Sequence, residues 1–210
     1  MSESAIKAKL IDFLLSQPLQ SKLVIANEMV FADGSRRADL VLITNAIQAF
    51  EIKSEKDNLD KLPEQLADYE KYFQSVYVVC HRKHLQNIRK INKKFGILLA
   101  TNDGIISIRK ATYRKRIKPI FLLGHLDRNT LLGILRLTDS TRRPKGYISI
   151  NELRTYLCGK LEYKFLYDAV KEYLSTKYER SNDQFLSERG AITIEDDLLL
   201  LSKTQQTITM

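Results

Sequence analysis

Asp39, Glu51 and Lys53 are the residues of this chain whose types and spacing could do chemistry together. They lie on either side of Thr44-Asn45-Ala46, a short break between two runs rich in apolar residues, Arg37 to Ile43 and Ile47 to Lys53, which read as the arms of a β-hairpin. A turn centred on Asn45 puts Asp39 across from Glu51, with β-carbons about 5 Å apart. Two carboxylates so placed repel each other unless something positive sits between them, and a divalent cation with oxygen ligands meets that need directly. Lys53 lies two residues past Glu51 on the same face, about 7 Å diagonally from Asp39, within reach of a water or a phosphate oxygen beside such an ion. A Glu-X-Lys triplet alone is what many half-buried strands show when charges alternate towards solvent. What singles this one out is Asp39, at the mouth of a strand that is apolar on both faces and therefore central, where a carboxylate needs a partner.

The elements that must position these residues follow from periodicity. Ile6, Leu10, Ile11, Phe13 and Leu14 share a helical face over residues 4 to 15, with Lys7, Lys9 and Asp12 elsewhere on the helix. Leu23 to Phe31 reads as a strand that runs into the turn residues Ala32-Asp33-Gly34-Ser35, so three antiparallel strands form a meander. Leu59, Leu62, Leu66, Tyr69 and Phe73 then recur at helical steps, with Pro63 tolerable only in a first turn, which predicts a helix over about residues 62 to 73. Ser75 to Cys80 reads as a buried strand, His84 to Asn92 as a helix, and Gly96 to Ala100 and Ile105 to Ile108 as strands joined through Asn102-Asp103-Gly104. The expected fold is α/β, a mixed sheet flanked by helices over residues 1–110. Residues 111–202 form a basic linker and a mainly helical C-terminal region, with helices near 125–137 and 151–178, and residues 203–210 a loose tail. Ser149-Ile150-Asn151-Glu152 has the form of a capping box.

Asp39 followed by Glu51-Ile52-Lys53 resembles the Asp…Glu-X-Lys signature of the PD-(D/E)XK nuclease superfamily. Glu28, on the preceding strand, occupies the place of the acidic residue found before that signature in many members. Gln65-Leu66-Ala67-Asp68-Tyr69 is similar to the Gln-x-x-x-Tyr motif of the branch related to the RecB nuclease domain. Arg37-Ala38 departs from the pattern, standing where a proline often precedes the aspartate. The resemblance implies a restriction-endonuclease-like core and a metal-dependent nuclease that hydrolyses phosphodiester bonds, DNA favoured. Asp39 and Glu51 would then hold Mg²⁺, with Mn²⁺ able to substitute, and Glu28 would complete the metal shell or act through a water. Lys53, on a solvent-facing edge, would orient the attacking water or stabilise the transition state. Gln65 and Tyr69, one helical turn apart, would brace Lys53 or touch the nucleic-acid backbone. Repair or defence is the setting the family implies. The alternative is a nucleic-acid-binding or regulatory protein on the same fold without turnover.

Charge points the same way. Thirty-four Lys and Arg against 25 Asp and Glu leave a net charge of +9, which favours polyanionic partners. Arg109, Lys110, Tyr113, Arg114, Lys115, Arg116 and Lys118 form a run without an acid, suited to phosphates with some stacking. Arg142, Arg143 and Lys145 are a second candidate contact. Only two cysteines, Cys80 and Cys158, are present, so neither a disulfide framework nor a paired-cysteine zinc motif is expected. Charges within residues 1–17 oppose a signal peptide or a membrane span, and a cytoplasmic protein is the expectation.

Overall fold

The computed structural model describes residues 1–18, 22–138 and 148–202. The second basic patch (Arg142, Arg143, Lys145) and the tail from residue 203 lie outside them. A six-stranded mixed sheet runs in sequence order. It comprises β1 (Val24–Phe31), β2 (Arg36–Ile43), β3 (Ile47–Lys53), β4 (Ser75–His81), β5 (Gly96–Thr101) and β6 (Gly104–Arg109). The first three strands form the expected antiparallel meander, β3, β4 and β5 are parallel, and β6 returns antiparallel. Parallel neighbours need a crossover, and α2 (Leu62–Tyr72) and the short α3 (Leu85–Ile88) supply the two.

Helices cover both faces. One carries α1 (Glu3–Leu15), whose Ile6, Leu10 and Ile11 pack on Leu40, Phe50, Ile52 and Leu98. The other carries α2 and the C-terminal helices α4 (Pro119–Leu122), α5 (Arg128–Thr138), α6 (Ile150–Lys160) and α7 (Tyr163–Glu188), packed on Val41, Ile43, Ala49, Val76 and Val78. The helices beyond residue 110 thus share a core with the sheet. They are further tied to it by Arg154 on α6, which grips Asp33 in the β1–β2 turn with two bonds of 2.8 and 2.6 Å.

Element boundaries differ from expectation in three places. The helix expected over His84 to Asn92 is a 3₁₀ turn, Arg82–His84, followed by α3, which stops at Ile88. The Arg109 guanidinium caps the segment beyond it, donating to the carbonyls of Phe95 at 2.9 Å and Asn92 at 3.3 Å. The helix expected over 151–178 is two helices, broken where Leu161 and Glu162 adopt extended backbone, and α7 continues to Glu188. The helix expected from residue 125 starts at Arg128, because Asp127 accepts the Thr130 N–H at 2.8 Å and caps it, while His125 ends a preceding 3₁₀ turn. The capping box forms as read: Ser149 Oγ accepts from Glu152 N at 3.2 Å, and Glu152 Oε2 accepts from Ser149 N at 2.8 Å.

The 26 residues of α7 span roughly 39 Å, enough to run past the β1 edge from one face to the other. Leu166, Val170, Leu174 and Tyr178 pack in one core and Phe185 in the other. At the crossing Asn182 is fully buried. Its Oδ1 accepts the Ile25 N–H at 2.9 Å and its Nδ2 donates to the Leu23 carbonyl at 3.3 Å. One amide side chain thereby satisfies main-chain groups that an open strand edge would leave free. Asn182→Ala should therefore lower the free energy of unfolding by about 1–3 kcal/mol, the cost of stranding buried polar groups. Urea denaturation measures it, and a change below about 0.5 kcal/mol would mean that water substitutes for the amide.

Candidate metal centre

The β2–β3 ladder pairs Leu40 with Phe50 and Val41 with Ala49, the register expected from a turn at Asn45. The next pair in that register is Asp39 and Glu51. Instead of continuing the ladder, Asp39 turns its carboxylate into it, and Oδ2 accepts the Ile52 N–H at 2.6 Å. On β1, Glu28 has a left-handed backbone with φ 53°, a costly conformation for a residue with a side chain. The alternation of faces slips there. Val24 and Ala26 face the same core as Met29 and Phe31, an odd step that puts Glu28 out of phase with its strand.

Glu51 and Lys53 are buried, at 2% and 9% exposure, not on the solvent-facing edge that alternation suggested. The reason is α2, which lies over the end of β3. Lys53 Nζ bonds Glu51 Oε1 at 2.8 Å and donates to Gln65 Oε1 at 3.0 Å. The Tyr69 hydroxyl donates to Glu51 Oε2 at 2.6 Å and lies 3.0 Å from the Arg37 carbonyl. Gln65 therefore braces Lys53 as expected, whereas Tyr69 braces Glu51. Tyr69 is 1% exposed, which excludes the expected contact with a nucleic-acid backbone. Burial, with Glu51 and Asp39 nearby, drives its hydroxyl pKa far upward, so the phenol stays a donor.

Two further residues join the site from α1. Carboxylate oxygens of Glu3, Glu28 and Asp39 lie within 4.8 Å of one another. Lys7, expected on the polar side of its helix, is 5% exposed. Its Nζ forms a close ion pair with Glu28 Oε1 and lies 3.4 Å from Glu3 Oε1. Arg37 Nε holds the other Glu28 oxygen at 2.7 Å. The i,i+4 spacing of Glu3 and Lys7 was visible in the sequence, but nothing local says that this helical turn faces the acidic strands.

The donor set suits a hard cation. Glu3, Glu28 and Asp39 offer only carboxylate oxygens, the ligands Mg²⁺ and Mn²⁺ take. Both Glu51 oxygens are already engaged by Lys53 and Tyr69. Burial is the largest influence on Asp39 and the Glu51 charge the next, and together they raise its pKa to about 8 against the pull of the Ile52 N–H.

The basic run sits elsewhere. It leaves β6 at the end of the sheet where β3 and β4 begin, and Arg114 N donates to the Gln74 carbonyl at 2.9 Å, beside the start of β4. From Ile47, level with that end, to Glu51 is about 13 Å at 3.3 Å per residue. Two of its members turn inwards: Arg109 caps the segment after α3, and Arg114 donates to the Phe73 carbonyl at 2.5 Å. Lys110, Tyr113, Lys115, Arg116 and Lys118 remain exposed, with Arg116 over the Tyr163 ring at 4.8 Å.

Fold and site together define an α/β protein with a mixed sheet and a partly buried cluster of carboxylates and lysines at one end of it. The chain belongs to the bacteriophage P4 protein cII family, which matches it over residues 1–202. Protein cII of Enterobacteria phage P4 is 30% identical over 218 aligned positions, covering 98% of this chain and 80% of that relative. Among solved structures, the SPO1766 protein of unknown function from Silicibacter pomeroyi overlays with a TM-score of 0.45 at 14% identity, covering 70% of this chain and 99% of its own. Among the described residues, no helix is long and apolar enough to cross a membrane.

The raised Asp39 pKa gives a test that needs no substrate. The folded protein holds a proton that the unfolded chain, with its carboxyl near 3.8, has lost. Stability from this residue is therefore greatest below pH 3.8 and declines as pH rises towards about 8. Asp39→Asn keeps the acceptor for Ile52 and removes the charge. In chelator the variant should match wild type near pH 4 and become progressively more stable than it towards pH 8. Thermal melts across that range give the answer, and a constant difference would show that the Asp39 charge is already compensated.

Proposed function

We propose that this protein is a metal-dependent nuclease, most simply one acting on DNA, with its centre at Asp39, Glu51 and Lys53. The observation that carries the reading is the position of Lys53. Its ammonium is anchored by Glu51 and Gln65 at 2.8 and 3.0 Å, and Glu51 is in turn held by Tyr69. A lysine fixed this way, beside carboxylates able to share a divalent cation, fits a phosphodiester, whose negative charge the ammonium can meet, rather than a neutral substrate. Asp39 and Glu28, with Glu3, would hold the cation, and Glu51 would join through a water. A bound Mg²⁺ or Mn²⁺ would supply Lewis-acid charge at the scissile phosphate and lower the pKa of a bound water.

The chain's own residues do the rest. Lys53 donates to a non-bridging phosphate oxygen or to the attacking water, in an orientation fixed by Gln65. Tyr69 and the Ile52 N–H hold Glu51 and Asp39 in place, so neither must reorganise during the reaction. The resemblance to PD-(D/E)XK nucleases supports this assignment.

Because Glu51 and Lys53 are buried partners, truncating either to alanine would open a cavity in addition to unpairing a charge, and would confuse folding with function. Glu51→Gln and Lys53→Met preserve shape. Each should remain folded by circular dichroism and lose at least about a hundredfold in cleavage rate. Substrates are linear, circular and single-stranded DNA and RNA, with Mg²⁺, Mn²⁺ or chelator. Wild-type rates in either folded variant, or full activity in chelator, would overturn the assignment.

The exposed basic residues are proposed to carry sequence-independent phosphate contacts. Changing Lys110, Lys115 and Lys118 to alanine should weaken binding about equally across sequences and reduce the salt slope by about 0.9 per lost duplex contact. Fluorescence anisotropy at several salt concentrations measures both, and an unchanged slope would make the run a linker.

A further inference from the structure

Lys7 is the least expected residue of the site. A lysine at 5% exposure is costly unless its charge is met, and what meets it is Glu28, in a close ion pair, and Glu3 at 3.4 Å. These are two of the three carboxylates whose oxygens converge within 4.8 Å, the third being Asp39. Its ammonium thus occupies two of the three carboxylates that a cation coordinated there would need. Arg37 takes the remaining Glu28 oxygen at 2.7 Å, but its side chain is 67% exposed and free to swing into solvent. Lys53 is engaged separately with Glu51 and Gln65. Both Glu28 oxygens are therefore held by positive groups, and the buried one of the two is Lys7.

We propose that Lys7 is a built-in counter-ion. Its ammonium holds Glu3 and Glu28 together in the metal-free protein and must be displaced before those carboxylates turn to a divalent ion. This rests on the metal reading above and adds a form of regulation to it. Loading the site is an exchange of one cation for another. Apparent metal affinity scales with the fraction of molecules in which Lys7 has left the cluster. The exchange keeps the carboxylates from repelling one another when metal is scarce, and it sets a threshold of free cation below which the centre stays closed.

The test compares wild type with Lys7→Met, which retains the aliphatic length and removes the charge. Lys9→Met serves as control, since Lys9 carries the same charge on the same helix but donates to the Asn102 carbonyl at 2.8 Å, away from the cluster. Thermal melts across a Mg²⁺ series, and Mn²⁺ titration followed by the electron paramagnetic resonance of the free ion, give half-saturating concentrations without any nuclease assay. Lys7→Met should be less stable than wild type in chelator, yet bind Mn²⁺ and Mg²⁺ at least about tenfold more tightly, a factor worth about 1.4 kcal/mol. Lys9→Met should bind like wild type. Should Lys7→Met not fold in chelator, Lys7→Gln, which keeps a polar donor, is titrated with Mn²⁺ instead, and the same tightening is expected. Unchanged or weaker binding in the Lys7 variants, while wild type binds metal, overturns the counter-ion role and leaves the metal centre standing. Binding by neither protein overturns the metal reading, and the counter-ion role with it.

Discussion

Negative charge cannot be placed inside a sheet without something to answer it, and the groups that answer it in this protein organise one whole end of the molecule. Glu51 is buried, and its two oxygens are met by an ammonium from its own strand and a phenol from α2. Asp39, opposite, takes a main-chain N–H that the ladder would otherwise have used. Glu28 gives up ordinary backbone geometry at φ 53° and lies between Lys7 and Arg37. Two helices from opposite faces of the sheet, α1 and α2, are thus required at the same end of it. Each contributes positive or hydrogen-donating groups that are themselves costly to bury alone. The compensation is mutual, which is why removing one member is expected to be felt by the others.

The C-terminal region is bound into the same body by different means. Its helices extend the core on the α2 face, and α7 carries the chain past the exposed side of β1 to the α1 face. Asn182 does for the first strand what a seventh strand would otherwise do. Arg189 and Thr193, beyond α7, both reach Asp12 on α1, at 2.6 Å each. The helix that delivers Glu3 and Lys7 is thereby held from its far end by the chain's last described segment. That arrangement couples the position of the acidic cluster to residues more than 170 positions away in sequence.

The positive surface and the acidic cluster occupy opposite ends of the sheet. A polyanion engaged by both would lie along the body of the protein instead of resting on one spot, and the two contacts would have different characters. The basic end offers exposed side chains of a kind that would follow a backbone without reading it. The acidic end offers groups held by their partners: two each for Glu28, Glu51, Lys7 and Lys53, and the Ile52 N–H for Asp39. Such a division separates holding from positioning, as a proposed phosphodiester centre requires.

Much of this was determined by sequence alone. Alternating and continuous apolar runs marked all six strands along the chain, because burial on one or two faces leaves a periodic record in it. The hairpin register around Asn45 was legible too, since a short turn leaves few pairings open, and with it the confrontation of Asp39 and Glu51. Gln65 and Tyr69 were singled out as a pair by the resemblance to a Gln-x-x-x-Tyr motif, and helical spacing put them on one face. Tertiary structure alone decided the rest. Which helix covers a strand end is not encoded locally, so Glu51 and Lys53 looked solvent-facing although α2 buries them. Lys7 looked like an ordinary surface lysine, because its burial depends on carboxylates that reach it from β1, 21 residues away in sequence. The basic run directly follows the expected core in sequence, which leaves open the end of the sheet at which it emerges. An antiparallel last strand, however, exits at the opposite end from a parallel one, and strand direction is a property of the assembled sheet.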